Sequence, residues 1–245
     1  MESNPTKSHR GFTKNIVMSL IEIQDLVKTY ELGEVKVNAL RGISLSINNE
    51  EFVVLAGRSG SGKTTLLNMI GALDMPDSGI VSINGQKYQH LSKDQRALFR
   101  LRHIGFVFQA YNLIRVLTAI ENVAYVLELQ GVPKSKRFEK SKMWLNEVGL
   151  DDMGDRRPDQ LSGGQQQRVA VARALAANPD IVLADEPTAN LDSDTGRKLM
   201  ETFLHLNETH KTTFVFASHD PEVISAAKRL VQLFDGKITE DKKIK

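Results

Sequence analysis

The chain has 245 residues, 41% of them hydrophobic, which is enough to bury one large core or two smaller ones. It carries 32 Lys and Arg against 30 Asp and Glu, and a formal net charge of +2 is too small to favour nucleic acid as the main partner. The sequence contains no cysteine, which excludes disulfides, Cys-ligated zinc and a thiol nucleophile, and which fits a cytosolic protein.

The N-terminal segment differs in composition from the rest of the chain. Residues 1–18 carry scattered basic side chains but lack the apolar stretch of a secretory signal, so we expect a disordered extension there. No apolar run elsewhere approaches the roughly 18 residues that a membrane span needs. Any link to a membrane is therefore expected to come through another subunit.

Two alternating segments then predict a pair of antiparallel strands. Leu20–Lys28 and Val35–Ile47 both alternate apolar and polar residues, with Gly33 in the turn between them. Gly79–Gly85 is predicted to add a short strand to the same layer. Tyr30 ends the first strand, where its ring could stack on an adenine or could be a half-buried strand aromatic.

A glycine-rich turn between a strand and a helix is the central motif of the chain. Phe52–Ala56 is an apolar strand run, Lys63–Leu73 is helical in pattern, and the turn between them fits G-x-x-x-x-G-K-[ST]. Glycines allow successive N–H groups and the positive end of the helix to face one anion. Lys63 could reach the β- and γ-phosphates of a nucleotide, and the Thr64 hydroxyl could bind Mg²⁺. The predicted cradle comprises Gly57, Arg58, Ser59, Gly60, Ser61, Gly62, Lys63, Thr64 and Thr65.

The middle of the chain predicts one further strand and a small helical subdomain. His103–Gln109 is a buried-strand run whose last residue, Gln109, would emerge beside the nucleotide, although alone it could be an ordinary loop residue. Thr118–Gln130 and Ser135–Val148 are helical in pattern. The second helix is expected to expose a solvated basic face, formed by Lys134, Lys136, Arg137, Lys140 and Lys142.

Polar residues stand at the ends of three predicted elements in the last third of the chain. Ser162 caps a helix that begins with two glycines, which is ordinary capping chemistry or a second anion site. Asp185 and Glu186 end an apolar strand, and two adjacent carboxylates there are costly unless a cation or hydrogen bonds compensate them. Asp185 would hold Mg²⁺ through a water molecule, while Glu186 would polarise an attacking water. His219 follows the strand Thr212–Ser218 and could hydrogen-bond the γ-phosphate.

The C-terminal segment predicts two closing strands. Arg229–Phe234 and Lys237–Thr239 are strand-like in pattern and are joined by a turn at Asp235 and Gly236. The remaining tail, Asp241–Lys245, is rich in lysine and is expected to be solvated.

From Leu20 to about Glu240 these residues closely resemble the ATP-binding cassette (ABC) ATPases. The decisive match is Leu161–Gln165, which resembles that family's signature motif at the start of a helix. In chain order, the A-loop, Walker A, Q-loop, signature, Walker B, D-loop and H-loop are matched by Tyr30, Gly57–Thr64, Gln109, Leu161–Gln165, Asp185–Glu186, Leu191–Asp192 and His219. The resemblance implies an α/β fold with a P-loop NTPase (RecA-like) core, an antiparallel β-layer and an inserted helical subdomain. It places the core at about 19–110 and 160–245 and the subdomain at about 111–159.

The resemblance also implies the roles of these residues. ATP and Mg²⁺ are the expected cofactors, and hydrolysis is expected to depend on Glu186, His219, Gln109 and Lys63. Metal contacts are implied for Thr64, Gln109 and Asp185. Besides Tyr30 and the cradle, nucleotide contacts are implied for Ser162, Gly163, Gly164, Gln165 and Asp192. The expected partners are a second copy, joined head to tail on ATP, and an integral-membrane permease that holds the chain at the cytoplasmic face of the inner membrane.

Within the family, the chain looks most like the ATPase subunits of lipoprotein-releasing and macrolide-exporter systems. This impression rests on Gly71–Asp74, Leu161–Arg168 and Leu183–Asp192, although Ala189–Asn190 departs from the Gly-Asn or Gly-Ala more familiar in that branch. A cell-division ATPase of the same branch and a small-solute importer remain alternatives. A chromosome-type cassette is disfavoured because only about fifty residues, without heptads, separate Gln109 from the signature. Ribosome-type members usually carry two cassettes, whereas this chain has one.

Overall fold

The computed structural model describes residues 19–244, so the expected extension at 1–18 and the last residue, Lys245, lie outside it. Among the described residues, no helix is both long and apolar enough to cross a membrane. The elements in chain order are β1 (Ile21–Leu32), β2 (Val35–Ile47), β3 (Phe52–Ala56), α1 (Lys63–Ile70), β4 (Ser78–Ile83), β5 (Gln86–Lys87), α2 (Lys93–His103), β6 (Ile104–Phe108), α3 (Ala119–Leu129), α4 (Lys134–Glu147), α5 (Gly163–Ala176), β7 (Ile181–Asp185), α6 (Ser193–His210), β8 (Thr213–Ser218), α7 (Pro221–Ser225), β9 (Arg229–Phe234) and β10 (Lys237–Lys243).

The predicted antiparallel layer is confirmed. Its strand order is β2-β1-β4-β5, and every neighbouring pair is antiparallel. Ile21 pairs with Ile47 on β2 and with Ile83 on β4, so the apolar residues of three strands meet on one face. These three isoleucines are almost fully buried, which gives this layer a dry contact with the rest of the molecule.

The second sheet has the order β10-β9-β3-β8-β7-β6. Its strands run parallel from β9 to β6, and only the edge strand β10 is antiparallel. The register places Ala56 beside Ser218, and Asp185 beside both Ala217 and Phe108. Four carboxyl ends therefore meet at one edge of the sheet, where ligands of parallel α/β sheets bind.

The core lies on both faces of this parallel sheet. Along β3, Phe52 and Val54 face a cluster formed with the helices α3 to α6, while Val53 and Leu55 face a cluster formed with α1 and the antiparallel layer. All five residues of β3 are buried, as expected for a central parallel strand covered on both faces. Burial on both sides fixes the strand that leads into the glycine-rich turn.

Three helices, α2, α6 and the short α7, were not predicted from the sequence. The mean hydropathy of α2 is low and it buries only Phe99 among its residues, so a Ser92 and Gln95 capping box is its clearest sequence signal. It also contains His103, which the prediction had assigned to the following strand. The longer helix α6 is amphipathic, with Leu199, Phe203 and Leu206 buried.

Smaller differences concern element ends. The cradle helix α1 stops at Ile70 rather than Leu73, because Gly71 caps it. The closing strand β10 continues to Lys243, beyond the predicted Thr239. Its extension is held by Arg229, whose Nε and Nη2 donate to Asp241 at 2.9 and 2.7 Å, although the tail residues up to 244 are exposed as expected.

Candidate functional site

The turn after β3 is a cradle that only glycine can form at two positions. A Cβ atom at Gly57 would lie 2.4 Å from the Leu233 carbonyl oxygen, and one at Gly62 would lie 2.6 Å from the Ala39 carbonyl oxygen. Gly62 also has a φ of 103°, which L side chains rarely adopt. Both positions therefore require a bare backbone, and α1 begins directly after Gly62 with its N–H groups directed at the turn.

Lys63 is anchored over this turn. Its Nζ donates to the carbonyl oxygens of Gly57 at 2.8 Å and Arg58 at 3.2 Å, and the residue is only 6% exposed. The buried hydroxyl of Ser61 has no hydrogen-bond partner among the residues that the structure describes. A buried cation bonded only to carbonyls, beside an unpartnered hydroxyl, fits a loop that is completed by an anion.

The carboxylate at the end of β7 meets the first threonine of α1. Thr64 Oγ1 donates to Asp185 Oδ1 at 3.1 Å. Burial raises the pKa of Asp185 and the charge of Glu186 raises it further, while the bond from Thr64 and the charge of Lys63 lower it. The negative charge of ionised Asp185 is thus only partly balanced by its neighbours, and a bound cation would stabilise it.

Glu186 is held by the end of β8. Its φ of 45° is left-handed, and its N–H donates to the Ala217 carbonyl oxygen at 2.9 Å. Ser218 Oγ donates to Glu186 Oε2 at 2.7 Å, and His219 Nδ1 lies 2.7 Å from Oε1. Both carboxylate oxygens are therefore fixed. Ser218 was not predicted as a site residue, because only the register of β7 and β8 brings it to Glu186.

An open cleft of about 640 Å³ lies over this edge of the sheet. The predicted site residues that line it are Tyr30, Ser59, Gly60, Gly62, Lys63, Thr64, Thr65, Gln109, Glu186 and His219. Gly57 and Arg58 line a smaller neighbouring depression together with Ser59 and His219. Asp185 and Ser61 are not among the lining residues, but Asp185 is bonded to Thr64 of the cradle, and Ser61 is a cradle residue whose hydroxyl is buried. The far wall was missed by the sequence argument and consists of β2 residues and a turn aspartate, namely Lys36, Val37, Asn38, Ala39, Arg41 and Asp235.

Tyr30 occupies one side of the cleft in a fixed orientation. Its hydroxyl donates to Asp74 Oδ2 at 2.8 Å, and the Nζ of Lys28 lies 5.1 Å from the centre of its ring. Lys28 is itself tied to the Met75 carbonyl oxygen at 2.7 Å. Burial, followed by the hydrogen bond to Asp74, raises the pKa of Tyr30 to about 12. The ring is therefore neutral and its orientation is set by Asp74.

The signature residues are absent from this cleft. Ser162 is the exposed N-cap of α5, and it forms a capping box in which Ser162 N donates to Gln165 Oε1 at 2.9 Å and Gln165 N donates to Ser162 Oγ at 3.3 Å. A Cβ atom at Gly163 would lie 2.8 Å from the Tyr111 hydroxyl oxygen, and one at Gly164 would lie 2.4 Å from Thr195 Cγ2. A single chain thus does not bring Ser162, Gly163, Gly164 or Gln165 to the cradle.

Asp192 also lies outside the cleft. It is the N-cap of α6, and its Oδ1 accepts a hydrogen bond from Thr195 N at 3.0 Å. That backbone bond lowers the pKa of Asp192. Between Glu186 and Asp192, Asn190 Nδ2 donates to the Gln109 carbonyl oxygen at 2.9 Å, so the loop after β7 is tied to the loop after β6.

Comparisons with known proteins agree with this geometry. Residues 40–189 match the family described as ABC transporter. A macrolide export ATP-binding/permease protein of Syntrophobacter fumaroxidans is 49% identical over 90% of this chain, but the chain covers only 31% of that relative's length. An uncharacterized ABC transporter ATP-binding protein of Thermotoga maritima is 48% identical, with 89% of this chain and 93% of the relative covered.

A solved structure gives the same result for the fold. The ATP-binding cassette MJ0796 of Methanocaldococcus jannaschii, described as a dimer in a post-hydrolysis state bound to ADP and Pi, superposes with a TM-score of 0.85 at 42% identity. The match covers 92% of this chain and 99% of that one. Its cassette fold, the matching family sequence and the phosphate cradle described above lead to one conclusion. The chain belongs to the ABC transporter family, as an ATP-hydrolysing nucleotide-binding cassette.

Proposed function

We propose that the cleft binds Mg·ATP, with the adenine on Tyr30 and the phosphates in the cradle from Gly57 to Thr65. The observation that carries this proposal is the contact between Thr64 and Asp185 beside the anchored ammonium of Lys63. The described residues contain no cluster of three or more His, Cys, Asp or Glu that could hold a metal alone. Mg²⁺ commonly takes one or two protein ligands together with substrate phosphates and water, so this donor set fits it.

In this proposal, Thr64 and Gln109 would hold the metal directly and Asp185 would hold it through water. Bound Mg²⁺ supplies neutralisation of the phosphate charge. Glu186 accepts a proton from the attacking water, and Ser218 and His219 keep its two oxygens in place before the nucleotide arrives. His219 also lines the cleft, from which it can reach the γ-phosphate.

We propose further that two copies close head to tail over ATP. In one chain the capped start of α5 is exposed at Ser162 and lies outside the nucleotide cleft, although a helix start of this kind favours an anion. A second copy can supply its Ser162 to the open side of the first cleft. The dimeric state of the solved cassette with ADP and Pi supports this arrangement.

A membrane permease is the proposed partner, which would hold the chain at the cytoplasmic face of the inner membrane. An apolar groove of about 720 Å³ lies between α2, β6 and α3. Four of its lining residues are large and exposed, namely Leu73, Leu98, Tyr125 and Leu129, at 45%, 50%, 42% and 55%. A continuous apolar surface of this size suits an amphipathic helix of a partner. The relatives named as ATP-binding/permease proteins support a permease as the source of that helix.

The apolar side chains that follow Gln109 in the sequence contribute little to this groove. Of Leu113, Ile114, Val116 and Leu117, only Ile114 lines it. Leu113 packs against the main core, and Val116 is 73% exposed outside the groove. The apolar character comes instead from α2, which was not predicted, and from α3. Among possible tasks, the named relatives favour efflux of the macrolide-exporter type, and lipoprotein release is the related alternative that the sequence resemblance adds.

Substitutions in the groove test the permease proposal. Leu98→Glu and Leu129→Glu place charges in the groove, whereas Val116→Glu adds the same charge at an exposed apolar residue outside it. We expect the first two to lose co-sedimentation with membranes that contain the permease, while Val116→Glu retains it. ATPase activity of the free subunit and the melting temperature serve as folding controls. Equal membrane recovery of all three folded variants would dismiss the groove as the docking site.

A further inference from the structure

Arg173 lies on α5, the helix that begins with the signature, yet its guanidinium contacts the loop that follows Gln109. Its Nη1 donates to the Asn112 carbonyl oxygen at 2.5 Å, and its Nη2 donates to the Tyr111 carbonyl oxygen at 2.9 Å. In the part of the chain from 19 to 244, the ion pairs include no carboxylate partner for Arg173. Burial alone lowers the pKa of Arg173. A partly buried charge is thus committed to two backbone carbonyls.

The two residues that Arg173 holds have an unfavourable backbone. Tyr111 has a φ of 60° and Asn112 has a φ of 51°, so two consecutive non-glycine residues are left-handed. Asparagine tolerates this region, but a bulky tyrosine rarely adopts it. Such a turn persists only where the surroundings over-determine it. The forked guanidinium supplies that constraint, because it binds both carbonyls at once.

The same short segment touches three functional surfaces. Gln109, immediately upstream, lines the nucleotide cleft. Asn112 and Arg173 line the apolar groove. The Tyr111 hydroxyl lies so close to Gly163 that a Cβ there would be 2.8 Å away. The segment therefore connects the cleft and the groove with the first turn of α5.

We propose that Arg173 is a positioning residue that locks Tyr111 and Asn112 onto α5, so that Gln109 and the signature start at Gly163 move as one unit when two chains close over ATP. This inference rests on the proposed ATP-driven homodimer. Binding of ATP without Mg²⁺ to one chain, which is the affinity to be compared, does not need the lock, because the cradle and Tyr30 lie on other elements and Gln109 is then not a metal ligand. Formation of the closed dimer needs it, because the signature must present its N–H groups in a fixed orientation relative to the cleft.

A matched pair of arginines on α5 tests the lock. Arg168 is also on this helix and also donates to a backbone carbonyl, that of Val148 at 3.5 Å, but among the described residues it forms no hydrogen bond with Tyr111 or Asn112. We would place Arg173→Met, Arg173→Lys and Arg168→Met in a Glu186→Gln chain, so that bound ATP is not consumed. For each chain, ATP affinity is measured without Mg²⁺ at a concentration where the chain is monomeric, and dimerisation with Mg·ATP is measured by sedimentation velocity.

The lock predicts that Arg173→Met raises the dimer dissociation constant at least tenfold, with ATP affinity of the monomer unchanged within twofold. Arg173→Lys should lie between, since an ammonium can bind only as a point charge, and Arg168→Met should behave as the parent. Hydrogen exchange of the free chain should rise in both 109–113 and 162–166 for Arg173→Met alone. Melting temperatures show whether each variant is folded. If Arg173→Met is unfolded, Arg173→Lys is used for the test instead.

The outcomes separate the lock from the homodimer itself. If the parent Glu186→Gln chain stays monomeric with Mg·ATP, the proposed homodimer fails. If the parent dimerises and both Arg173 variants dimerise equally well, the lock alone is wrong. If ATP affinity, dimerisation and melting temperature fall together in the folded Arg173 variants, the arginine merely stabilises the fold, and the positioning role is overturned.

Discussion

Ser218 Oγ and Glu186 Oε2 are 2.7 Å apart, and this bond joins the last residue of β8 to the residue that follows β7. The two strands pair in parallel with Asp185 beside Ala217, so the next residue on each strand reaches the same point above the sheet edge. Glu186 is therefore oriented by the sheet register rather than by its own loop. A carboxylate fixed in this way is arranged for proton transfer before substrate arrives.

The first prediction concerns Glu186. Glu186→Gln should abolish ATP turnover and preserve ATP binding, because the phosphate cradle does not include this side chain. Mg·ATP should then shift the variant from monomer to dimer in size-exclusion chromatography. As a graded control, Ser218→Ala removes one of the two groups that fix the carboxylate, and we expect a loss of about 10-fold in kcat with ATP affinity retained. Near-normal hydrolysis by Glu186→Gln would assign the proton acceptor elsewhere.

A second prediction follows from the raised pKa of Asp185. The folded chain holds a proton on Asp185 more tightly than the unfolded chain does, so this group contributes stability at acid pH that is lost as the pH rises through its folded pKa. In the absence of Mg²⁺ and nucleotide, Asp185→Asn should therefore raise the melting temperature at neutral pH and abolish Mg²⁺-dependent hydrolysis. The gain in melting temperature should shrink as the pH falls into the usual aspartate range.

Asp192 provides the opposite control for that experiment. Its pKa is lowered by the bond from Thr195 N, so its contribution is present at neutral pH and is lost as the pH falls through the folded pKa. Asp192→Asn should lower the melting temperature slightly at neutral pH, because asparagine still caps the helix but lacks the charge. If Asp185→Asn lowers the melting temperature at neutral pH, as Asp192→Asn is expected to do, the assignment for Asp185 is wrong.

Local sequence patterns were sufficient to place at the cleft the residues that stand at strand ends. They could not reveal the residues that only tertiary packing brings to the cleft. Gln109, Asp185 and His219 each follow an apolar run, so their common edge could be inferred from one sheet. Ser218 looked like an ordinary strand end, since its role depends on which strand lies beside β7. The cleft wall from β2 was missed because that strand belongs to a different sheet, and no local pattern encodes how the two sheets pack.

The third prediction concerns the bond between Tyr30 and Asp74. Tyr30→Phe keeps an aromatic ring but removes the hydroxyl that Asp74 binds, so KM for ATP should rise a few-fold with kcat unchanged, in line with the roughly 0.5–1.5 kcal/mol of one hydrogen bond. Tyr30→Ala removes the ring and should raise KM by about tenfold or more, since stacking on a base is worth about 1–3 kcal/mol. Inhibition by inorganic tripolyphosphate, which has no base, should be the same for both variants. Parallel losses with tripolyphosphate would show that Tyr30 supports the cradle rather than the adenine.

A fourth prediction tests the packing of the signature helix on α6. A Cβ at Gly164 would lie 2.4 Å from Thr195 Cγ2, so Gly164→Ala should destabilise the fold by about 1–3 kcal/mol through overpacking. Thr195→Ser removes that methyl group and keeps the N–H that Asp192 caps. The double variant should therefore recover most of the melting temperature that Gly164→Ala loses. Simple additivity of the two changes would mean that the clash is relieved elsewhere.

The last prediction is that each ATP is held between two chains. Lys63 lines the nucleotide cleft and Ser162 does not, so in the proposed dimer each cleft would take its Ser162 from the second copy. Removing one preorganised donor of this kind typically costs about 10²–10³ in rate. Tethered dimers can distribute two such lesions differently. A Lys63→Ala chain joined to a Ser162→Ala chain places both lesions in one site, if sites form between chains, and leaves the other site intact.

The comparison dimer carries both lesions in one chain and none in the other. Sites formed between chains would then each contain one lesion, whereas sites formed within a chain would leave one site untouched. We therefore expect the first tethered dimer to retain more ATPase activity than the second. If turnover needs both sites, the same order should appear as more ATP bound per dimer in a Glu186→Gln background. The reverse order would mean that Ser162 serves the nucleotide of its own chain, and the head-to-tail dimer would have to be abandoned.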